Sequence, residues 1–180
     1  QNLDLLDKFL GNIDNNIPKF AILGNWEYWG EVDIDKLHKV YFKHNCHLLV
    51  NATKDIEIKG QKYTIVGVDD YIGGAADISA CLQNIHAGNE LVIMSHCPHY
   101  SETIDQEISD KKTRIILSGH THGGQINILG FIPFKPRGSG KYLKGLYSLT
   151  NTSMYVSSGI GTSILPIRFG ARAETVIFTL

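Results

Sequence analysis

Three short apolar runs each stop at a residue able to bind a metal. They are Phe20-Ala21-Ile22-Leu23, Leu91-Val92-Ile93-Met94 and Ile115-Ile116-Leu117. The first leads into Gly24-Asn25, the second into Ser95-His96 and the third into Ser118-Gly119-His120-Thr121-His122-Gly123-Gly124-Gln125. Unbroken apolar runs of this length, bounded by turn residues, suit strands buried on both faces. Such strands form the interior of α/β sheets, whose ligand sites lie outside the carboxyl ends of the strands. The pattern therefore predicts an α/β fold that gathers Asn25, His96, His120 and His122 at one sheet edge.

Neutral imidazole is the commonest metal ligand. Glycines let the backbone turn sharply and approach a bound group. Taken alone, His120-Thr121-His122 is equally well read as two polar loop histidines. The two other strand ends favour the metal reading.

The residues Gly24-Asn25, Ser95-His96 and Gly119-His120-Thr121-His122 resemble the later motifs of the calcineurin-like metallophosphoesterases. Ser158-Gly159-Ile160-Gly161-Thr162-Ser163 and Leu165-Pro166-Ile167-Arg168-Phe169-Gly170 are similar to the tail of a bacterial, membrane-associated phosphodiesterase branch. The resemblance runs from about Phe20 to Leu180 and implies a β-sandwich flanked by helices, in four α/β/β/α layers. It implies hydrolysis of a phosphoester, as a phosphodiesterase, with two divalent ions (Mn, Fe or Zn). Carried over residue by residue, Asn25, His96 and His120 match ligands of one ion and His122 a ligand of the other.

Two departures stand out. Relatives begin with an Asp-x-His strand end and a Gly-Asp-x-x-Asp strand end, and neither pattern occurs in this sequence. Residues 1–180 are therefore expected to be a single phosphoesterase domain in its C-terminal part, without the N-terminal βαβ portion and its carboxylate ligands. That expectation includes an exposed sheet edge and self-association through it. Relatives also read Gly-Asn-His where this chain has Gly24-Asn25-Trp26. Indole donates one hydrogen bond and is no general acid. Trp26 is either an aromatic packed with Trp29 or a platform for substrate, and no catalytic residue is assigned. A catalytically inactive binding or scaffold protein of the same fold is the alternative function.

The rest of the chain reads as alternating elements. Leu3, Leu5, Leu6, Phe9, Leu10 and Ile13 have helical spacing, as do Ile34, Leu37, Val40 and Tyr41, with Asp33 as N-cap. Residues 48–51, 56–58 and 63–68 read as strands, the last two joined by a turn at Gly60-Gln61. Asp69-Asp70 suggests capping or solvation, with a loop role near the site as the other reading. Residues 75–86 look helical, and 101–112 reads as a polar surface helix. Pro98 keeps Cys97 extended, and His99 is a candidate supporting group. Strands are expected at 126–129, 154–157 and 175–179.

Residues 130–144 form a loop in which Phe131, Phe134 and Tyr142 alternate with Lys135, Arg137, Lys141 and Lys144. It is read either as a phosphate- or lipid-binding loop, with Arg137 contacting substrate, or as a solvated one. The guanidinium of Arg168 is read either as a bidentate phosphate contact or as part of a structural ion pair.

The 180 residues are 43% hydrophobic with net charge −1, enough for one core and without a global attraction to nucleic acid. The partners expected are a phosphoester substrate and, left open by the resemblance, a membrane surface. No run reaches the roughly 20 apolar residues of a membrane span, and the polar start is unlike a signal peptide. The expected location is the bacterial cytoplasm or the membrane surface. Cys46, Cys81 and Cys97 give no paired framework.

Overall fold

Adjacent side chains on a strand point to opposite faces, so an unbroken apolar run demands a core on each side. The computed structural model, which describes residues 3–83 and 85–179, supplies two cores. Its principal sheet contains β3 (Ala52–Ile58), β4 (Gln61–Gly67), β5 (Glu90–Ser95), β6 (Thr113–Ser118), β7 (Gly145–Ser148) and β8 (Ser153–Val156). Their order is β3-β4-β5-β6-β8-β7. The four middle strands run parallel, and an antiparallel strand closes each edge. The β3–β4 hairpin turns through Lys59 and Gly60, at φ 50° and 80°, the left-handed pair that two-residue hairpin loops require.

A smaller sheet pairs β1 (Lys19–Ala21) in parallel with β2 (Cys46–Leu48). Its Phe20, with Ile22 and Leu49 just beyond the strands, packs on Ile65, Val92 and Ile115 of the large sheet. The residues next in sequence, Val66, Ile93 and Ile116, face the other way. There they meet Ile78 and Cys81 of α4 (Ile78–Leu82) and Ile104 of α5 (Ser101–Glu107). Gly67 lets the two sheets approach, because a Cβ there would sit 2.3 Å from the Leu49 Cβ.

Outside the small sheet, α3 (Ile34–Lys43) packs on β2 and α1 (Leu3–Gly11) packs on α3. The result is the expected α/β/β/α layering. Asp33 caps α3 as the sequence predicts, accepting from the Lys36 N–H at 3.0 Å. The short α2 (Asn25–Trp29) follows β1 directly and carries the first candidate ligand.

Four local expectations are corrected. Helix α5 is not a polar surface helix: Ile104 and, just past its end, Ile108 are fully buried under the sheet. Ser101 and Asp105 are buried with them, and the other polar residues of that stretch cover its outer side. Of the helix expected over 75–86, α4 is the helical part among the described residues, with residue 84 outside them. Residues 126–129 make isolated bridges rather than a strand, because Gln125 and Leu129, at φ 49° and 52°, turn the backbone out of extended geometry. Residues 175–179 form no strand; the edge strand beside β8 is β7, at 145–148, whose half-exposed Gly-Leu-Tyr-Ser carries little apolar signal. Among the described residues no helix is long and apolar enough to cross a membrane.

Candidate metal centre

The carboxyl ends of β1, β5 and β6 deliver Asn25, His96 and His120 to one point. The Asn25 Oδ1 lies 3.0 Å from the His96 Nε2 and 3.2 Å from the His120 Nδ1. The two ring nitrogens are 3.1 Å apart. Asn25 is 3% exposed and His120 9% exposed, so bulk water does not satisfy these atoms.

The proton positions follow from the partners. The His120 Nε2 lies 2.7 Å from the Arg137 carbonyl, which only accepts, so Nε2 carries the proton and Nδ1 presents a lone pair. This is the outer hydrogen bond that orients a metal-binding imidazole. The Asn25 oxygen is an acceptor as well. Three acceptor-capable atoms thus converge, with at most the His96 Nε2 proton to share among them. A cation answers that arrangement better than any protonation state of the three groups. Amide oxygen and neutral imidazole are ligands of divalent transition metals.

Burial keeps the imidazoles neutral. It is the largest influence on His96, whose pKa is pushed down to about 4 from an ordinary 6.5, with the neighbouring His120 adding to the effect. His120 and His122 shift the same way, chiefly through burial. On acidification the unfolded chain takes up these protons first. The stability contributed by neutral, buried rings is therefore fully present above pH 6.5 and is lost as pH falls toward about 4. Thermal melts of metal-free protein should show a falling Tm across that window. A flat Tm from pH 7 to pH 5 would contradict it.

The loop carrying the histidines is strained. His120 and His122 have φ of 68° and 51°. Left-handed backbone is uncommon outside glycine, Asn and Asp, and clusters at functional sites. Gly123 and Gly124, at φ 62° and 82°, continue the same turn. His122 does not join the three-residue cluster. Its Nδ1 lies 3.3 Å from the Gly161 carbonyl, which leaves Nε2 as the ligand atom. It lines, with the other three, a cavity of about 380 Å³. Among the described residues no three His, Cys, Asp or Glu side chains converge at metal spacing; the cluster is two histidines and an amide.

Gly24 makes room for this geometry. A Cβ at Gly24 would lie 2.8 Å from the His96 ring. The Gly24→Ala variant is expected to fold, since its φ of −116° suits alanine, but to displace His96 and lower metal affinity by about 10–100-fold, the usual cost of disturbing a ligand's support. Unchanged affinity by titration would refute this. The Glu27 carboxylate accepts from the Gly24 N–H at 2.8 Å and so fixes the entry to α2.

The aromatic and basic candidates separate. Trp26 is 43% exposed, edge-on to Trp29, and lines the cavity, so it is no buried packing residue. Arg137 lines the cavity too. Arg168 is corrected: its guanidinium donates to the carbonyls of Gly161, His122, Ala171, Ser158 and Gly159. Its fork holds backbone, and among the described residues it pairs with no carboxylate, so the expected structural ion pair is replaced by contacts to carbonyls. Cys97 is extended as predicted, but its thiol donates to Asp70 at 3.4 Å, and burial raises its pKa. That geometry gives no thiolate ligand. His99 stands edge-on to Tyr71 and 3.8 Å from Glu102, outside the cavity lining.

The carboxylate pair after β4 is where sequence reasoning fell short. Asp70 is fully buried and Asp69 nearly so, and neither caps a helix or faces solvent. Asp69 accepts from the Tyr28 hydroxyl, the Ala75 N–H and the Asp70 N–H. Asp70 accepts from the Ile72 and Gly73 N–H groups. The pair thereby ties the loop after β4 to Tyr28 of α2, three residues beyond Asn25. Asp70 also places a negative charge near His96 and His120, partly opposing the effect of burial. The available signal was a fourth strand end at the same sheet edge, followed by Gly73-Gly74.

No protein-family model matches the chain. It is 32% identical over 183 residues to the uncharacterized metallophosphoesterase YkoQ of Bacillus subtilis, covering 97% of this chain and 65% of that protein. It is 30% identical to an uncharacterized metallophosphoesterase of Aquifex aeolicus, covering 100% of this chain and 67% of that protein. The uncharacterized Bacillus subtilis protein YpbG is 30% identical over 91% of this chain, which spans 59% of its length. Among solved structures, the NAD nucleotidase of Haemophilus influenzae aligns with a TM-score of 0.48 at 16% identity, over 87% of this chain and 36% of that one. With two such relatives matched over nearly its whole length, the chain belongs to the calcineurin-like metallophosphoesterase superfamily.

Proposed function

We propose that the protein is a metal-dependent phosphoester hydrolase acting on phosphodiesters, with Mn, Fe or Zn at its centre. The observation that carries this is the convergence of the Asn25 Oδ1, the His96 Nε2 and the His120 Nδ1 within 3.2 Å. These three would hold one ion; a second would take His122 and draw its other ligands from outside this set. When bound, the ions polarise phosphoryl oxygens and supply hydroxide at neutral pH. The chain's own residues position the reaction. Arg137 stands on the cavity wall as a cation for phosphate oxygens. Trp26 and Trp29 form an aromatic wall on one side of the cavity.

A second reading has its own observation. Trp26 lines the cavity at the position where the family resemblance implies histidine, and general acid–base help is worth about 10²–10⁴-fold. An inactive, ligand-binding member of the superfamily fits that exchange. The two readings part in one experiment: elemental analysis after equilibration with Mn and Zn, followed by assay on bis(p-nitrophenyl) phosphate with and without a chelator. Chelator-reversible, Mn-dependent turnover supports the hydrolase. Metal uptake without turnover, or no metal uptake at all, defeats the hydrolase and supports the inactive binding or scaffold protein.

A further inference from the structure

A second pocket of about 240 Å³ opens beside His122. Its wall is apolar, formed by Ile126, Pro133, Phe134, Pro136, Ile164 and Leu165. It shares His122, Phe134, Pro136, Ser163 and Ile164 with the cavity that holds Asn25, His96 and His120. The two spaces therefore adjoin, with His122 on the wall of each.

The Gln125 amide in the pocket wall is already used. The Gln125 amide donates to the Leu165 carbonyl at 2.9 Å and accepts from the Ser163 N–H at 2.7 Å. Arg168 holds the carbonyls of His122 and Gly161. These contacts fix the 161–168 segment against the histidine loop and leave carbon facing the space. Phe134, Ile164 and Leu165 nevertheless remain 69%, 76% and 52% exposed. Neighbouring large apolar side chains kept in water around a built pocket mark a binding site. Arg137 at the adjoining wall supplies the charge that a phosphate next to the pocket needs.

We propose that the phosphoester taken by this site carries an apolar chain on its ester oxygen, and that the chain lies in the pocket beside His122. This rests on the phosphoester reading above. It assigns Leu165 and Ile126, which touch only the apolar pocket, as determinants of chain-length specificity.

The test is calorimetric titration of the Mn-equilibrated chain with methyl, butyl and octyl phosphate, each below its micelle concentration. Burial of a methylene improves affinity by up to about fourfold, so the three added methylenes of butyl phosphate should tighten binding by about tenfold, with a ceiling of about 60-fold. Leu165→Asn (polar) and Leu165→Phe (pocket-filling) should both flatten that series and leave methyl phosphate affinity unchanged. If methyl phosphate binds but wild-type affinity does not rise with chain length, this inference fails while the phosphoester reading stands. A rise that persists in both Leu165 variants places the chain elsewhere and overturns the inference. If none of the phosphates binds, the phosphoester reading fails and the inference with it.

Discussion

His120→Asn is expected to abolish tight metal binding while the fold survives. His120 is the residue at which both halves of the argument meet. Its Nδ1 is the lone pair fixed by geometry, because its Nε2 proton is committed to the Arg137 carbonyl at 2.7 Å. Removing it takes away one of three converging donors and also the group that orients the 130–144 loop over the cavity. Loss of a supporting contact alone costs about 10–100-fold in metal affinity; loss of the ligand should exceed that. Asparagine is the substitution of choice because φ is 68° there, and Asn tolerates left-handed backbone better than alanine does. The Arg137 carbonyl loses its partner, at about 1–3 kcal/mol, so Tm should fall by a few degrees without unfolding. His122→Asn, by contrast, should leave the first ion's affinity nearly intact, since His122 makes no contact with the cluster. Equal losses in the two variants, or metal affinity unchanged in His120→Asn, would dismantle the assignment of Asn25, His96 and His120 as one site.

The parts of this structure that were legible in the sequence share a physical reason. Ile93 and Ile116 are flanked by apolar neighbours because both faces of their strands are buried, and an unbroken run records that fact directly. Asn25, His96 and His120 were found because each stands two or three residues past such a run. Asp69 and Asp70 stand in the same relation to β4, yet adjacent carboxylates on the surface are commonplace. Their role is visible only once Tyr28 and the 72–75 backbone are seen folded around them. Helix α5 was misjudged for a related reason. Its buried apolar residues are two isoleucines set among buried Ser101 and Asp105, so the stretch shows no broad apolar stripe. The irregular segments, 126–144 and 157–174, were illegible in detail, because their shape is set by positive-φ turns and by side chains reaching across to backbone carbonyls. Neither device leaves a periodic trace.

Arg168 shows what that kind of segment costs to disrupt. Arg168→Met is expected to lower stability substantially and to do so before it touches substrate affinity. The guanidinium spans the carbonyls of Ser158, Gly159, Gly161, His122 and Ala171. Hydrogen bonds to a charged group each contribute about 1.5–3 kcal/mol where buried. Arg168 is only partly buried, so solvent recovers much of this, and a net loss of about 3 kcal/mol is a reasonable expectation. For a chain of this size that corresponds to a drop of about 6–12 °C in Tm. Lysine should rescue little, because one ammonium cannot present a planar fork to carbonyls on three sides. The consequence for the site is indirect. His122 and Gly161 are both held by Arg168, and the His122 Nδ1 contact with Gly161 depends on that hold. The variant should therefore loosen His122 and the 161–168 wall together. A phosphate-contacting arginine would behave in the opposite way, with KM raised and Tm unchanged. Measuring both quantities on Arg168→Met and Arg168→Lys decides between a staple and a substrate ligand, and the geometry commits the residue to the first.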